Sequence, residues 1–512
     1  MQALSGKMVT MEESLQRIDA FFNPKSVAVI GATKKTDKAG HVIFKNLAIN
    51  KQRGVLKAEL YPVNPGEDSI LGFKCFKTLS SIPGEVDLMV VIVPAKIVPS
   101  VMEEAVQKKV QTAVIITAGF KEVGNKELED QVIAIAAKGG IRILGPNCLG
   151  VYYSKTGIDT LFLPETKTLT TGEDVVATPR PLPGNIAMIT QSGAFGVAAL
   201  DYLTGRQMGV SKFVSFGNKS DVSETDILSY LMYDKETKVI LVYLEDVKHG
   251  RDFIKIAKKV TLKKPVVVIK SGRSSAGARA AASHTGAIAG SDKVYDAAFE
   301  QSGVIRARDM EEFFDIGKAL AMQPPAMGKN IGILTDAGGP GVMTVDELES
   351  LGLTVERFTG ETEEKFEGLK KQGAILQIAA THNPVDLTGS VTDDQFVTSA
   401  DIMFQDPNVY GIILLGLHHM PGLREKYIDG IVEVSKKYSK PIVMCDIGET
   451  EMALYTRSRF DRLCVPSFAS PEDAARAMAS LVTYGEYLKR NNAIDQYIAN
   501  YKKSCQAAPA KR

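Results

Sequence analysis

From about Asn23 the chain alternates short unbroken apolar runs with stretches whose apolar residues recur every three or four positions. "SVAVIGAT" begins the series. "AELYPVNP", "VDLMVVIVP", "TAVIITAGF" and "IRILGPNCLG" follow, each an apolar run that ends in or near glycine, proline or asparagine. Helical periodicity fills the gaps: from about Gly40, from Pro99 to Lys109 and from Glu127 to Lys138. Continuous apolar strands alternating with amphipathic helices predict a parallel sheet covered on both faces. Ligands bind such sheets at the carboxyl ends of their strands. This first block closes near Gly150.

Residues 151–184 have little periodicity, and "LPET" and "ATPRPLPG" read as turn and extended chain. So long an irregular connector is expected to cover something. A second block opens at Asn185 with "NIAMITQSGAFGVAALDYL" and a third at Asn330 with "NIGILTDAGGPGVMTVDEL". Thr190, Gly193 and Gly196 of the second align with Thr335, Gly338 and Gly341 of the third. "VILVYLE" then parallels "VYGIILLGL", and "KPVVVIKSG" parallels "KPIVMCDIG". Order is kept throughout, which reads as a duplicated domain. The expected architecture is α/β: a Rossmann-like domain (1–150), the connector (151–184), two duplicated flavodoxin-like parallel-sheet domains (185–326 and 327–484) and a tail (485–512). The tail is helical from about Tyr487 and then frays.

Composition adds limits. The 512 residues are 45% hydrophobic, with 61 basic against 60 acidic side chains. That suits several globular domains and argues against a nucleic-acid groove or a polybasic membrane patch. No run of about eighteen apolar residues suggests a membrane span, and the first residues lack a signal-peptide core. The five cysteines are scattered, with no CxxC and no cysteine–histidine cluster. A cytoplasmic protein without a metal site fits that pattern.

Candidate chemistry sits in the glycine turns and in one histidine. Gly31 allows a tight turn out of the first strand, where amides could face a diphosphate; an ordinary βα turn would look the same. "TQSGAFG" and "TDAGGPG" carry more weight because they recur in register. Ser192 can cap its helix, and Gly193, Ala194, Gly338, Gly339 and Gly341 leave the first-turn amides open to an anion. Two such tips aimed at one point would hold a phosphoryl group. His284, in "AAASHTGAIAG", is surrounded in sequence by small residues, which suits a nucleophile that accepts and donates a group. Glu245, where "VILVYLE" leaves its strand, is the carboxylate expected to orient that ring, with Asp246 as the alternative. His41, His249, His382, His418 and His419 compete. Adjacent His418 and His419 are expected to point apart, so a shared metal is not expected. Lys270, Arg273 and Arg279 could neutralise phosphate or a coenzyme.

At this point the residues match a family. "FFNPKSVAVIGAT", "YPVNP", "ITAGF", "GPNCLG", "TQSGAFG" and "SHTGAIAG" occur in one order. In that order they resemble the alpha subunit of the NDP-forming acyl-CoA synthetases, relatives of succinyl-CoA synthetase, and within them the ADP-forming acetate–CoA ligases. The resemblance runs from about Phe21 to about Tyr484. It implies a coenzyme A-binding first domain, with Gly31, Ala32 and Thr33 near the coenzyme and Asn64, Pro94 and Gly119 along its path. It implies that Asn147 and Cys148 lie beside the reacting centre, that His284 becomes phosphorylated and that Glu245 steadies it. It implies that "QSGAFG" and "DAGGPG" open the two phosphate-holding helices.

The family's ATP-grasp domain is absent, so the resemblance implies a beta-subunit partner, in an α2β2 heterotetramer, that brings ATP or ADP with Mg2+. The implied reaction joins a small carboxylic acid to coenzyme A, with ATP becoming ADP and phosphate, through acyl phosphate and phosphohistidine. Two alternatives are a non-catalytic coenzyme A-binding regulatory module and an NAD(P)-dependent Rossmann oxidoreductase. The retained His284 argues against the first. The missing GxGxxG and the duplicated phosphate loops argue against the second.

Overall fold

The first apolar run becomes β1 (Ser26–Ile30), buried along its whole length in the computed structural model. β2 (Glu59–Val63), β5 (Leu88–Val91), β6 (Thr112–Ile115) and β7 (Arg142–Leu144) join it in a parallel sheet of order β2-β1-β5-β6-β7. A small hairpin, β3 (Ser69–Ile70) and β4 (Phe73–Lys74), is a separate ribbon. The helices fall where periodicity predicts them, at Ala39–Gln52, Val98–Gln107 and Lys126–Gly139. The structure describes residues 11–277, 279 and 291–506. It divides into two compact units, Met1–Arg306 and Ala307–Arg512.

The first unit contains a second sheet, of order β16-β15-β14-β12-β13-β8-β9. Its parallel members are β12 (Pro183–Thr190), β13 (Val210–Ser215), β14 (Val239–Leu244), β15 (Val266–Lys270) and, where the units divide, β16 (Ile305–Ala307). The expected connector is more than a cover. β8 (Gly150–Tyr153) extends this sheet antiparallel to β13, β9 (Ile158–Asp159) pairs antiparallel with β8, and β10 (Thr166–Thr168) pairs with β11 (Asp174–Val176) as a hairpin. Strands of two to four residues are too short to register as a period-two pattern.

The two sheets of this unit share one apolar cluster, from Phe22 and Val29 to Val151 and Val242. Phe22 stacks on Tyr230 with ring centroids 5.4 Å apart. Arg142, on β7, donates from Nε to both oxygens of Asp221 at 3.1 and 2.9 Å, and from Nη2 to Asp226 at 3.1 Å. Asn218 donates to Glu122 and Glu129 at 2.7 and 2.9 Å. An apolar core and buried charge-assisted bonds thus fix one sheet against the other.

The second unit holds a parallel sheet of order β18-β17-β19-β20-β21. Its strands are β17 (Ile331–Thr335), β18 (Val385–Asp386), β19 (Gly411–Leu415), β20 (Ile442–Cys445) and β21 (Ser467–Phe468). The strand order repeats that of β13-β12-β14-β15-β16, and of β2-β1-β5-β6-β7. In all three sheets the first core strand lies between neighbours reached by oppositely directed connections, and its carboxyl end is a topological switch point. The duplication extends to detail. Thr190 Oγ1 donates to the Ser192 carbonyl at 2.7 Å, and Thr335 Oγ1 to the Ala337 carbonyl at 2.8 Å. The expected tail starts inside a continuous helix, Pro471–Arg490, and a further helix spans Ile494–Gln506. Tyr497 packs edge-on against Tyr484, and Tyr501 donates to the Met322 carbonyl at 2.6 Å. The fraying expected at the extreme end falls on residues outside those described.

Gly31 has φ +94°, and a Cβ there would lie 2.1 Å from the Ile92 carbonyl oxygen. Gly31→Ala combines left-handed strain with a clash against backbone that cannot yield. A loss of about 2–5 kcal/mol is expected, measured as a fall in the urea midpoint of the full chain.

Candidate functional site

At the switch point of the second sheet, Thr190 ends β12 and Ser192 opens the helix Gly193–Gly205. Ser192 Oγ accepts from the Phe195 N–H at 3.2 Å. That bond caps one amide, so the N–H groups of Gly193 and Ala194 remain for an anion. Gly196 is required by packing, since a Cβ there would lie 2.8 Å from Thr190 Cγ2 and 2.9 Å from Phe213 Cζ.

The helix tip borders a cleft of about 1020 Å³ between the two sheets of the first unit. Ser192, Gly193, Ala194, Glu245, Asn147 and Cys148 all line it. Residues that sequence reasoning had separated by more than 90 positions therefore share one cavity. Ile92, Ile116 and Phe162 supply an apolar wall, and Lys121 and Lys248 supply cations. The remaining predicted coenzyme residues are placed elsewhere. Gly31, Ala32, Thr33, Asn64, Pro94 and Gly119 do not line this cavity. They shape the turns at the ends of β1, β2, β5 and β6. Asn64 has both ends of its amide engaged, donating to the Ala32 carbonyl at 2.7 Å and accepting from Gly66 N–H at 2.8 Å. His41 is within 3.0 Å of the Thr33 carbonyl and so helps hold the β1 turn. His284 lies outside the described residues, as do most of its small neighbours.

Glu245 follows β14, with its backbone N–H held by Gln191. Gln191 Oε1 accepts from Glu245 N at 2.9 Å and from Asp246 N at 3.2 Å, and its Nε2 donates to Asp246 Oδ1 at 2.6 Å. Lys219, buried, pairs with Asp246 at 2.7 Å and Glu224 at 3.1 Å and also donates to the Asp246 carbonyl. Burial opposes ionisation of Asp246, but Lys219 and Gln191 outweigh it and hold the carboxyl below its ordinary pKa. Gln191 was missed by sequence reasoning although it stands inside the quoted motif. Its counterpart Asp336 plays a similar part, accepting from Leu417 N at 2.8 Å. Lys219 left no signal, because a buried lysine is known only from its neighbours.

Cys148 is buried, with Sγ 3.3 Å from the Ile115 carbonyl. Burial pushes its thiol up to about 12, so it remains protonated at neutral pH. Asn147 has φ +56°, and its Nδ2 reaches Asn218 Oδ1 at 3.4 Å.

In the second unit, Gly338 and Gly339 open the helix Gly338–Ser350 and are exposed. A Cβ on Gly338 would lie 2.9 Å from Asp386 Oδ2, so a carboxylate already faces this tip. Gly341 packs on Thr335 as Gly196 does on Thr190. His418 and His419 depart from expectation. Their rings lie together, with centroids 3.8 Å apart, because both residues follow the end of β19 and escape the alternation of a strand.

Two family models match the chain: the CoA binding domain over residues 25–154 and the succinyl-CoA ligase like flavodoxin domain over residues 183–320. They define the class, a coenzyme A-binding protein of succinyl-CoA ligase type. The alpha subunit of acetate–CoA ligase [ADP-forming] I of Pyrococcus furiosus is 40% identical over 488 residues, covering 92% of this chain and 98% of that one. Acetate–CoA ligase [ADP-forming] of Methanocaldococcus jannaschii is 36% identical over 483 residues, covering 94% of this chain but 65% of its own length. A solved structure of the Ca. Korarchaeum cryptofilum dinucleotide forming acetyl-coenzyme A synthetase 1, in complex with phosphate and ADP, superposes with a TM-score of 0.83 at 34% identity. It covers 93% of this chain and 98% of that one. The chain belongs to the family of alpha subunits of ADP-forming acetate–CoA ligases. It is a subunit of a ligase, and neither a regulatory module nor a nicotinamide dehydrogenase.

Asp336 offers a test of the second unit. It is 1% exposed, and its Oδ1 has no partner among the described residues. Burial pushes it up, the Leu417 N–H pulls it back, and Asp446 and Asp386 push it further, to about 7 from 3.8. Folding therefore favours the protonated carboxyl. Its contribution is complete below about pH 4 and is lost as pH rises through about 7. Asp336→Asn keeps an acceptor for Leu417 and cannot ionise. Its stability relative to wild type should rise by about 1–4 kcal/mol between pH 4 and pH 8, read from thermal melts at both values.

Proposed function

We propose that this chain, with an ATP-grasp beta subunit in an α2β2 assembly, joins a small carboxylic acid to coenzyme A as ATP becomes ADP and phosphate, reversibly, in the cytoplasm. The observation that carries this reading is the shared cleft: an amide-rich helix tip, an orienting carboxylate and the Asn147–Cys148 turn border one cavity with an apolar wall. Acetate is the acid named for the relatives, and it defines the first substrate to test. The P. furiosus relative is named as a subunit alpha, and the M. jannaschii relative extends beyond the matched region; both support a partner chain.

In the synthesis direction His284 takes the γ-phosphoryl group from ATP held by the partner. Glu245 accepts the hydrogen bond of the other ring nitrogen and fixes the ring. The acid's carboxylate takes the phosphoryl group from His284 and becomes an acyl phosphate at the Ser192–Ala194 tip. There the free N–H groups of Gly193 and Ala194 stabilise the migrating charge. The coenzyme's thiol attacks the acyl carbon and phosphate leaves. The cleft keeps water from the acyl phosphate. Gly31, Ala32 and Thr33 approach the coenzyme, and Asn64, Pro94 and Gly119 shape the turns along its path. The tip at Gly338, Gly339 and Gly341 serves the phosphoryl group at its other station. Mg2+ accompanies the nucleotide on the partner; the described residues of this chain form no group of side chains suited to a metal.

His284→Ala should abolish radiolabelling by γ-labelled ATP in the reconstituted complex and leave coenzyme A binding intact. Acyl-CoA synthesis should fall by roughly 10³-fold or more, as when a nucleophile is removed. Glu245→Gln should reduce synthesis by roughly 10–100-fold, the usual scale for a residue that orients another. An acid-labile, base-stable label that survives His284→Ala overturns the assignment.

A further inference from the structure

The second unit carries a polar constellation that the ligase reaction does not use. His418 Nδ1 lies 2.8 Å from Asp446 Oδ1, and the same oxygen accepts from the His418 N–H at 3.2 Å. His418 Nε2 lies 3.1 Å from Thr450 Oγ1. With the Asp446 carboxylate taking the Nδ1 proton, Nε2 is the ring acceptor and Thr450 donates its hydroxyl hydrogen to it. The loop between Asp446 and Thr450 is shaped to fit. Gly448 has φ +135°, and a Cβ there would lie 3.1 Å from His418 Cε1. Arg457 clamps the loop by donating to the Asp446 carbonyl at 2.7 Å and to the Gly448 carbonyl.

Thr450 stands at the N-cap of the helix Glu451–Arg462 but makes no side-chain cap bond. A threonine there ordinarily accepts from an amide of the first turn. Here the hydroxyl is committed to the imidazole, and the first-turn amides stay uncapped. Thr450 is exposed, and its partner His418 borders a cavity of about 640 Å³ that Thr450 itself does not line. His418, Leu423, Met452 and Tyr455 form part of its wall, with Arg424 also on it. By sheet register His418 occupies the place that Asp246 holds in the duplicated domain. The two copies therefore carry different titratable side chains at this strand end.

We propose that Thr450, His418 and Asp446 form a second, independent acyl-transfer site that hydrolyses small activated acyl esters or thioesters. Thr450 Oγ attacks the acyl carbon, and its proton passes to His418 Nε2. The bond from the acyl carbon to the leaving oxygen or sulfur breaks, and the leaving atom takes that proton. Water then attacks the Thr450 ester, giving a proton to His418 Nε2 that returns to Thr450 Oγ as the acid departs. Asp446 holds the ring, and the uncapped amides at the helix start receive the carbonyl oxygen's charge.

The test uses the full chain alone, without partner or nucleotide, so its result is independent of the ligase reading. Release of nitrophenolate from p-nitrophenyl acetate and of thiol from acetyl-CoA is followed for wild type, Thr450→Val, Thr450→Ser and His418→Gln. Release should fall by about 10²-fold or more in Thr450→Val and His418→Gln and persist in Thr450→Ser. Mass spectrometry of quenched wild type should find one acetyl group on the peptide containing Thr450. Thr450→Val should keep acyl-CoA synthesis when given the partner, which shows that it folds. Activity on the oxygen ester alone supports the site and assigns it to esters; activity on both assigns it to thioesters as well. Equal release by wild type and Thr450→Val, acetylation at another residue, or no release from either compound overturns the proposal.

Discussion

Everything at the candidate site depends on how a parallel sheet reverses its direction of growth. In each of the three sheets the first core strand sits between a neighbour reached one way and a neighbour reached the other. Its two following connections therefore part, and a crevice opens beyond its carboxyl end. Gly31, the Ser192–Gly193 turn and the Ala337–Gly338 turn all occupy that spot. A side chain at Gly31 would collide with neighbouring backbone, and one at Gly196 with the strand it packs on. At Gly31 and Gly196 glycine follows from packing before any ligand is considered, whereas a Cβ on Gly193 would meet only Leu149 Cβ at 3.9 Å.

The cleft adds a second requirement, that the strand ends of the two sheets in the first unit stay at a fixed separation. Arg142 bound to Asp221 and Asp226, Asn218 bound to Glu122 and Glu129, and one shared apolar cluster meet it. Lys219, Asp246 and Gln191 carry the same rigidity inward to Glu245. Binding to such a preformed site need not first order the side chains that define it.

The parts of this arrangement that the sequence made legible are those with a local signature. Unbroken apolar runs located the core strands, and the register of "TQSGAFG" on "TDAGGPG" located equivalent turns whose hydrogen bonds match. Short antiparallel strands such as β8 and β9 left no periodic trace, since two or four residues cannot show one. Lys219 and Asn218 were invisible because their importance lies in partners distant along the chain. His418 was misjudged by a rule for strands applied just beyond a strand's end. Asp386, facing the tip at Gly338, shows how the duplicated turns diverged: the same backbone is met by a carboxylate in one copy and by open cleft in the other.

Cys148 has a consequence for the cleft that it lines. A thiolate there would be open to attack on any electrophile that enters the cleft. Placing the sulfur under the Ile115 carbonyl in an apolar wall keeps it in its unreactive, protonated form. Cysteine thus serves as a small space-filler in the wall of the cleft, and the packing itself keeps its sulfur out of thiolate chemistry.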